Sequence, residues 1–206
     1  MSSIVKTLCN KLSVTGKGDF VMNIIDCIKG RRSIRAFRDQ PVPPEIIEEL
    51  INLGTRAATA SNNQPWGFVV ITDKAEMKRL SDLSRDHWLA NLDAYPFMKQ
   101  YKNLLTKENY NMFYNAPCLL IIYGDARAHR YVKDCTLAAG NIMLAAREYG
   151  LGTCWIGNAE NICDTEEFKS KYNVPRNYKV VCPMIIGYPQ AELPASKRKP
   201  ARIFNK

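Results

Sequence analysis

Two histidines, at positions 87 and 129, are the only imidazoles in 206 residues. Neither stands in a serine or cysteine nucleophile motif, which leaves hydrolysis by a nucleophile–histidine pair without support. The same scarcity removes H-x-x-x-H zinc sites, and no D-x-D-x-D calcium loop occurs. No Gly-rich loop ends in Lys-Ser/Thr, so a Walker-type phosphate cradle is missing. The cysteines, at 9, 27, 118, 135, 154, 163 and 182, are odd in number and never form a C-x-x-C pair. That pattern suggests neither a disulfide framework nor a zinc or iron–sulfur site, and the thiols read as reduced and mostly buried. No run reaches the apolar length of a membrane span, and the first twenty residues lack the apolar core of a signal peptide. A cytoplasmic protein without a membrane segment is the expectation. Internal repeats and low-complexity tracts are absent.

What remains is an ordinary globular composition, 46% hydrophobic and 24% charged, of a length that suits one domain. The net charge of +9 is unevenly spread. Residues 1–40 carry 8 Lys/Arg against 3 Asp/Glu, residues 196–206 carry 5 Lys/Arg and no acid, and the stretch between is −1. Two cationic ends suit either flanking arms on a polynucleotide or convergence on one small anion. The first of them contains Gly30-Arg31-Arg32-Ser33-Ile34-Arg35-Ala36-Phe37-Arg38. Planar guanidinium forks beside a hydroxyl match the oxygens of a phosphate monoester, while a solvated basic stretch is the bland alternative.

Along the chain, residues 1–21 show no sustained period and read as an arm or a non-native extension. The fold begins near Met22 and runs on to 206 as one domain. Ile24, Ile25 and Ile28 have helical spacing, and that helix ends at Gly30. Pro41-Val42-Pro43-Pro44 opens a second helix, with Ile46, Ile47, Leu50 and Ile51 on one stripe, running to about Ala58. Phe68–Thr72, Cys118–Tyr123 and Tyr178–Gly187 read as buried strands, the last near an edge or bulge because of Pro183. Ala75–Arg85, Tyr131–Tyr149 and Asp164–Lys171 read as helices, the second with a small-residue face suited to close packing. Residues 86–115 mix aromatics with charges under a poor period, as a lid, a partner-facing excursion or a two-helix insertion would. Gly150-Leu151-Gly152 follows a helix and precedes a strand, the reverse of a dinucleotide-binding turn. With so little acid–base machinery, a cofactor carrying its own chemistry is the consistent reading.

Four stretches in register resemble the nitroreductase family of flavoproteins: Arg31-Arg32-Ser33-Ile34-Arg35-Ala36-Phe37, Asn62-Asn63-Gln64-Pro65-Trp66, Gly150–Gly157, and Ile186-Gly187-Tyr188-Pro189 with Lys197-Arg198-Lys199-Pro200. The resemblance spans about residues 22–200. It implies an α+β fold with a central, mostly antiparallel sheet flanked by helices. It also implies an intertwined homodimer with one FMN in each of two interface clefts. Carried over by position, Arg31, Arg32, Ser33 and Arg35 match the first phosphate-and-ribityl segment, and Lys197, Arg198 and Lys199 the C-terminal phosphate clamp. Thr59, Ala60 and Asn62 match the segment reaching the flavin from one side, with Gln64, Pro65 and Trp66 fixing that loop. Ala58-Thr59 stands where many members carry Pro-Ser, so the hydroxyl survives and the rigid ring does not. Trp155, Ile156 and Gly157 match the strand end along the isoalloxazine, with the Gly157 backbone N–H as candidate donor to flavin N5. Arg85 is the candidate for a basic group near N1, and Arg38 the outlier of its run, a surface or ion-paired residue.

The implied activity is ping-pong reduction of a nitroaromatic, quinone or similar flat acceptor, with NADH or NADPH as co-substrate and no dedicated catalytic side chain or metal. Residues 86–115 would cover that site. Relatives with other flavin chemistry, reductive dehalogenation or flavin fragmentation, share the fold. A basic nucleic-acid-binding module is the alternative from another class.

Overall fold

A β2 strand that is apolar on both faces, Cys118–Asp125, sets the architecture. Seven of its eight residues are buried, which requires helices on both sides of the sheet. In the computed structural model, which describes residues 23–194 and 196–205, that requirement is met. The expectations for residues 1–21 lie outside the described residues. The other strands are β1 (Trp66–Ile71), β3 (Gly152–Trp155) and β4 (Tyr178–Gly187), in the order β1-β2-β4-β3 with every pair antiparallel. The fold is α+β, an antiparallel sheet between two helical layers.

Alternation along β2 divides the core. Leu119, Ile121 and Tyr123 face one layer together with Met77, Leu80, Trp88 and Phe168. Leu120 and Ile122 face the other with Ile46, Ile47, Leu50, Ala139, Ile142 and Ala146. The first layer contains α3 (Lys74–Ala90), α4 (Lys102–Leu105), α6 (Glu160–Cys163) and α7 (Glu166–Lys171); the second is α2 (Pro44–Gly54) against α5 (Tyr131–Glu148). Ala138, Ala139 and Ala146 of α5 are fully buried, and a Cβ on Gly54 would stand 2.8 Å from the Ile142 side chain. The small-residue face therefore serves close packing of α5 on α2 within one chain. The short α1 (Ile24–Gly30) behaves differently: Ile24, Ile25 and Ile28 are all more than half exposed.

One expectation needs correction, and of the two readings of Pro183, edge or bulge, the structure has the bulge. The second helix stops at Gly54 rather than near Ala58, because the chain tightens into turns in which Thr55 N–H reaches Ile51 O and Ala57 N–H reaches Gly54 O. Strand β4 lies inside the sheet, not at its edge. Pro183 is tolerated there because its carbonyl, and with it the side of the strand on which an N–H is missing, faces Ile156 N–H at 2.8 Å, just past the end of four-residue β3. A bulge also lies alongside, where the β2–β4 register skips Val181.

The described cysteines, Cys27, Cys118, Cys135, Cys154, Cys163 and Cys182, are free and buried. Burial pushes Cys118 and Cys135 up to about 12, which keeps them as thiols. Among the described residues no helix is long and apolar enough to cross a membrane, and no group of three His, Cys, Asp or Glu could hold a metal ion.

Helix α5 ends in a left-handed cap. Gly150 has φ +68°, its N–H bonds Arg147 O at 3.0 Å, and buried Leu151 returns its N–H to Ala146 O at 2.9 Å. No atom lies within 4 Å of a Cβ built on Gly150, so any penalty at this position is conformational, not steric. Gly150→Ala is expected to lower stability by about 1 kcal/mol and Tm by about 2–4 °C for a domain of this size. A melting curve identical to that of the parent would show that the cap does not depend on glycine.

Candidate active site

The arginine segment runs beside β3 as a short parallel partner. Ser33 bridges Thr153, and Ile34 N–H donates to Thr153 O at 3.0 Å. Gly152 permits this approach, since a Cβ there would stand 2.4 Å from Ile34 Cγ1. On its other side the segment is clasped by Phe37 bridging Pro189, Arg38 N–H on Tyr188 O and Gln190 N–H on Ala36 O. Parallel running brings Arg31 level with Leu151 and Arg35 level with Trp155. Arg31 and Arg32 accordingly line a cavity of about 310 Å³ with Arg38, Arg147 and Gly150–Thr153. Arg35 lines a second, of about 260 Å³, with Trp155, Ile156 and Gly157. Four extended residues separate these ends, ~13 Å. The Cys154 thiol registers the same crowding: burial pushes its pKa up, while Arg35, Ser33 and Arg31 pull the other way.

The turn after β3 is pinned from α3. Asn158 O accepts from Trp88 Nε1 at 2.7 Å and from Ser84 Oγ at 2.8 Å. Ser81, one turn earlier on that helix, accepts Met112 N–H at 2.8 Å. One face of α3 thus holds both the turn and the 86–115 excursion, which contributes Tyr101, Tyr110, Met112 and Tyr114 to the second cavity. The Arg35 guanidinium sits 5.9 Å from the Tyr114 ring centroid, within cation–π range. Gly157 is exposed, and its N–H has no acceptor among the described residues.

Thr59–Gln64 lies at the opposite edge of the sheet, where it leads into β1. Ser61, Asn62 and Gln64 all have positive φ, at 50°, 53° and 47°. Such backbone costs free energy at each non-glycine residue and concentrates where function requires it. The loop is held by Gln64 Nε2 on Asn62 Oδ1 (2.9 Å), Gln64 N–H on Thr59 Oγ1 (3.4 Å) and Ala60 N–H on Asp134 Oδ1 (3.2 Å). Three strand spacings, ~14 Å, and about five residues along β4, ~15 Å, separate Trp66 from Trp155. One chain therefore brings Arg31, Arg32, Ser33, Arg35, Trp155, Ile156 and Gly157 together at one sheet edge, while Thr59, Ala60, Asn62 and Gln64 precede Trp66 at the other, ~20 Å from Trp155.

A family model described as "Nitroreductase family" matches residues 28–188. The chain belongs to the nitroreductase family. A protein of Archaeoglobus fulgidus, provisionally assigned as an NADH dehydrogenase/NAD(P)H nitroreductase, is 29% identical over 175 residues, covering 81% of this chain and 87% of its own. An iodotyrosine deiodinase of Nematostella vectensis is 26% identical, over 84% of this chain and 70% of its own. Among solved structures, a Bacteroides fragilis nitroreductase with bound FMN has a TM-score of 0.73 at 25% identity, covering 90% of this chain and 97% of that one.

Within this family member the second cationic cluster follows a few residues after Pro194, which is tied to the first site. Arg32 Nη1 donates to Pro194 O, so the tail leaves from beside the arginine segment, and Lys197, Arg198 and Lys199 are exposed just beyond. Arg38 is exposed and spends Nε on Pro189 O at 3.0 Å. Arg85 does not line the cavity beside Gly157, and its guanidinium is engaged by Asp82 (3.1 Å) and Asp86 (2.9 Å) on α3. The cation that does share a cavity with Gly157 is Arg35.

Sequence reading missed Ser84, Trp88, Asp134 and Glu160. Two serines and a tryptophan at 81, 84 and 88 share one helical face, and serine at core-facing positions was the available signal. Glu160 accepts from Trp155 Nε1 at 3.3 Å, and its Oε1 would lie 3.7 Å from a Cβ on Gly157. Burial raises its pKa, the indole bond opposes that, and Asp164 adds to it. A carboxylate raised in the folded state costs stability as pH climbs from its unfolded value through its folded one. Glu160→Gln keeps the acceptor for Trp155 and removes the charge. It is expected to raise Tm at pH 7 and to leave Tm unchanged at pH 4, as read by melting curves across that range. A drop in Tm at pH 7 would refute the assignment.

Proposed function

We propose that this chain is an FMN-dependent oxidoreductase that uses NADH or NADPH to reduce a nitroaromatic, quinone or similar flat acceptor, and that it works as a homodimer with two composite sites. The observation that carries this reading is the division of the candidate residues between opposite sheet edges. The cavity beside Gly157 is small: about 260 Å³ falls below the ~300–1,000 Å³ of typical ligand sites. A second copy supplying Thr59, Ala60, Asn62 and Gln64 would close it.

The residues present fit the cofactor. Arg31, Arg32 and Ser33 form the anion end, which Lys197, Arg198 and Lys199 would complete, and charge-assisted bonds of that kind are the strong ones. The ~13 Å run from Arg31 to Arg35 suits an elongated ligand with a phosphate at one end and a flat ring at the other. Gly157 offers an exposed N–H without an acceptor among the described residues. When bound, FMN supplies two-electron chemistry, which explains why the chain needs no histidine or metal. The protein's part is to orient and to exclude water. Arg35 keeps a positive charge at the ring end, and Trp155, Ile156 and Gly157 line that end. Tyr101, Tyr110 and Tyr114 wall the space where nicotinamide and then the acceptor would stack in turn.

Dimerisation has its own support. Ile24, Ile25 and Ile28 of α1 and Val132 and Leu137 of α5 leave apolar side chains at least half exposed. Strand β1 has one unpaired edge, and the tail carries Ile203 and Phe204, the latter 95% exposed. Apolar groups on that scale call for cover. A reductive dehalogenase reading uses the same site and is favoured by the similarity to an iodotyrosine deiodinase.

The purified protein is expected to be yellow and dimeric, and anaerobic NADH or NADPH should bleach it. Nitroaromatic, quinone and halophenol acceptors offered next would separate the two activities. Replacing Arg31 and Arg35 together with Ala should abolish FMN retention; unchanged affinity would refute the anion-end assignment. A co-expressed heterodimer of Arg31→Ala/Arg35→Ala with Asn62→Ala/Gln64→Ala subunits should retain one FMN per dimer, because one cleft is then intact. An empty heterodimer would argue that each site lies within one chain.

A further inference from the structure

Arg147 stands in the last turn of α5 and is used by none of the roles above. Its Nη1 donates to Gly30 O at 2.7 Å. Gly30 is the final residue of α1, where terminal carbonyls have no donor within the helix, so the guanidinium caps α1 from a different element. It also occupies the space that a side chain at position 30 would take. A Cβ there would stand 2.7 Å from Nη2 and 3.1 Å from Cζ. Immediately afterwards the backbone turns out at Arg31, with φ −60° and ψ 133°, and Arg31, Arg32 and Arg147 line one cavity. Arg147 Nε is buried without a hydrogen-bond partner among the described residues. Burying a donor unpaired is unfavourable, so the side chain is not placed to optimise its own bonding.

We infer that Arg147 is a positioning residue for the anion end of the site. It fixes where α1 releases the chain, and so where Arg31 and Arg32 present their guanidiniums. Glycine at position 30 is then required by Arg147 and not by the backbone, whose conformation there is helical. The inference rests on the FMN reading above and says which residue makes that site selective for a phosphorylated flavin.

The test titrates FMN and riboflavin, which lacks the phosphate, into the flavin-free full-length protein and its variants. Arg147→Ala should weaken FMN binding about tenfold, the scale of one lost charge-assisted contact, and leave riboflavin affinity nearly unchanged. Arg147→Lys, which retains a donor for Gly30 O, should recover part of the loss. Gly30→Ala displaces the guanidinium and should reproduce the Arg147→Ala phenotype, and the double variant should be no worse than either single one. If Arg147→Ala fails to fold, Gly30→Ala and Arg147→Lys carry the same comparison. Equal weakening of FMN and riboflavin, or losses that multiply in the double variant, would overturn the positioning role while leaving the FMN reading intact. A parent protein that binds neither flavin would overturn both.

Discussion

Everything at the candidate site depends on a single backbone pairing, the parallel run of Ser33 and Ile34 along Thr153. Strand β3 has only four residues and is otherwise an exposed edge of the sheet. Covering it with an extended segment manages that edge and delivers cations to it at the same time. Because the pairing is parallel, the order of residues is preserved across it: Arg31 beside Leu151, Arg35 beside Trp155. An antiparallel hairpin would have reversed that order and set the phosphate-type cations against the Gly157 turn. The close approach depends on Gly152, which leaves room for Ile34, so one glycine decides whether the two halves of the arginine end can form.

Helix α3 provides the second support. Its Ser81, Ser84 and Trp88 give up apolar core volume to hold Met112 N–H and Asn158 O. A helix committed only to packing would place aliphatic residues there. The consequence is that the turn carrying Gly157 and the excursion that walls it are fixed to one rigid element, so the gap between them is set by side chains and not by loop flexibility. The far end of α3 is tied down in turn, through Glu76, whose carboxylate receives Arg79, Lys171 and the Tyr172 hydroxyl and is held down to about 2.

Much of this was legible in the sequence, for reasons that differ by element. Strand β2 and the α2 and α5 helices announce themselves because burial on both faces of the sheet forces continuous or 3.6-periodic apolar runs. The arginine segment and the Gly-rich turn were legible as chemistry, since guanidinium density and glycine have few structural uses. Pro183 left an edge and a bulge open, and the structure has the bulge: the strand is internal, its register with β2 skips Val181, and the proline is accommodated by the early end of β3. The ion pairing of Arg85 was not legible, because a lone cation in sequence does not reveal that Asp82 and Asp86 lie within reach on its own helix. Asp134, Arg147 and Glu160 were invisible for a common reason. Each acts on a backbone or indole group, and two of the three partners are more than 70 residues away in the chain.

Those two long-range contacts belong to one helix. Asp134, in the first turn of α5, takes Ala60 N–H and so holds the strained Thr59–Gln64 loop. Arg147, in the last turn, takes Gly30 O and holds the root of the arginine segment. The two residues are thirteen positions apart, ~20 Å of helix at ~1.5 Å per residue, the same order as the ~20 Å across the sheet between Trp66 and Trp155. On the proposed reading, helix α5 would be a spacer whose length sets the distance between two half-sites of different clefts. A single chain cannot shorten it without breaking the Ala138, Ala139 and Ala146 packing against α2 and the sheet. On the proposed two-copy reading, halves held that far apart within one chain would be completed by a second copy, and the geometry of this one helix would be the reason for the assembly.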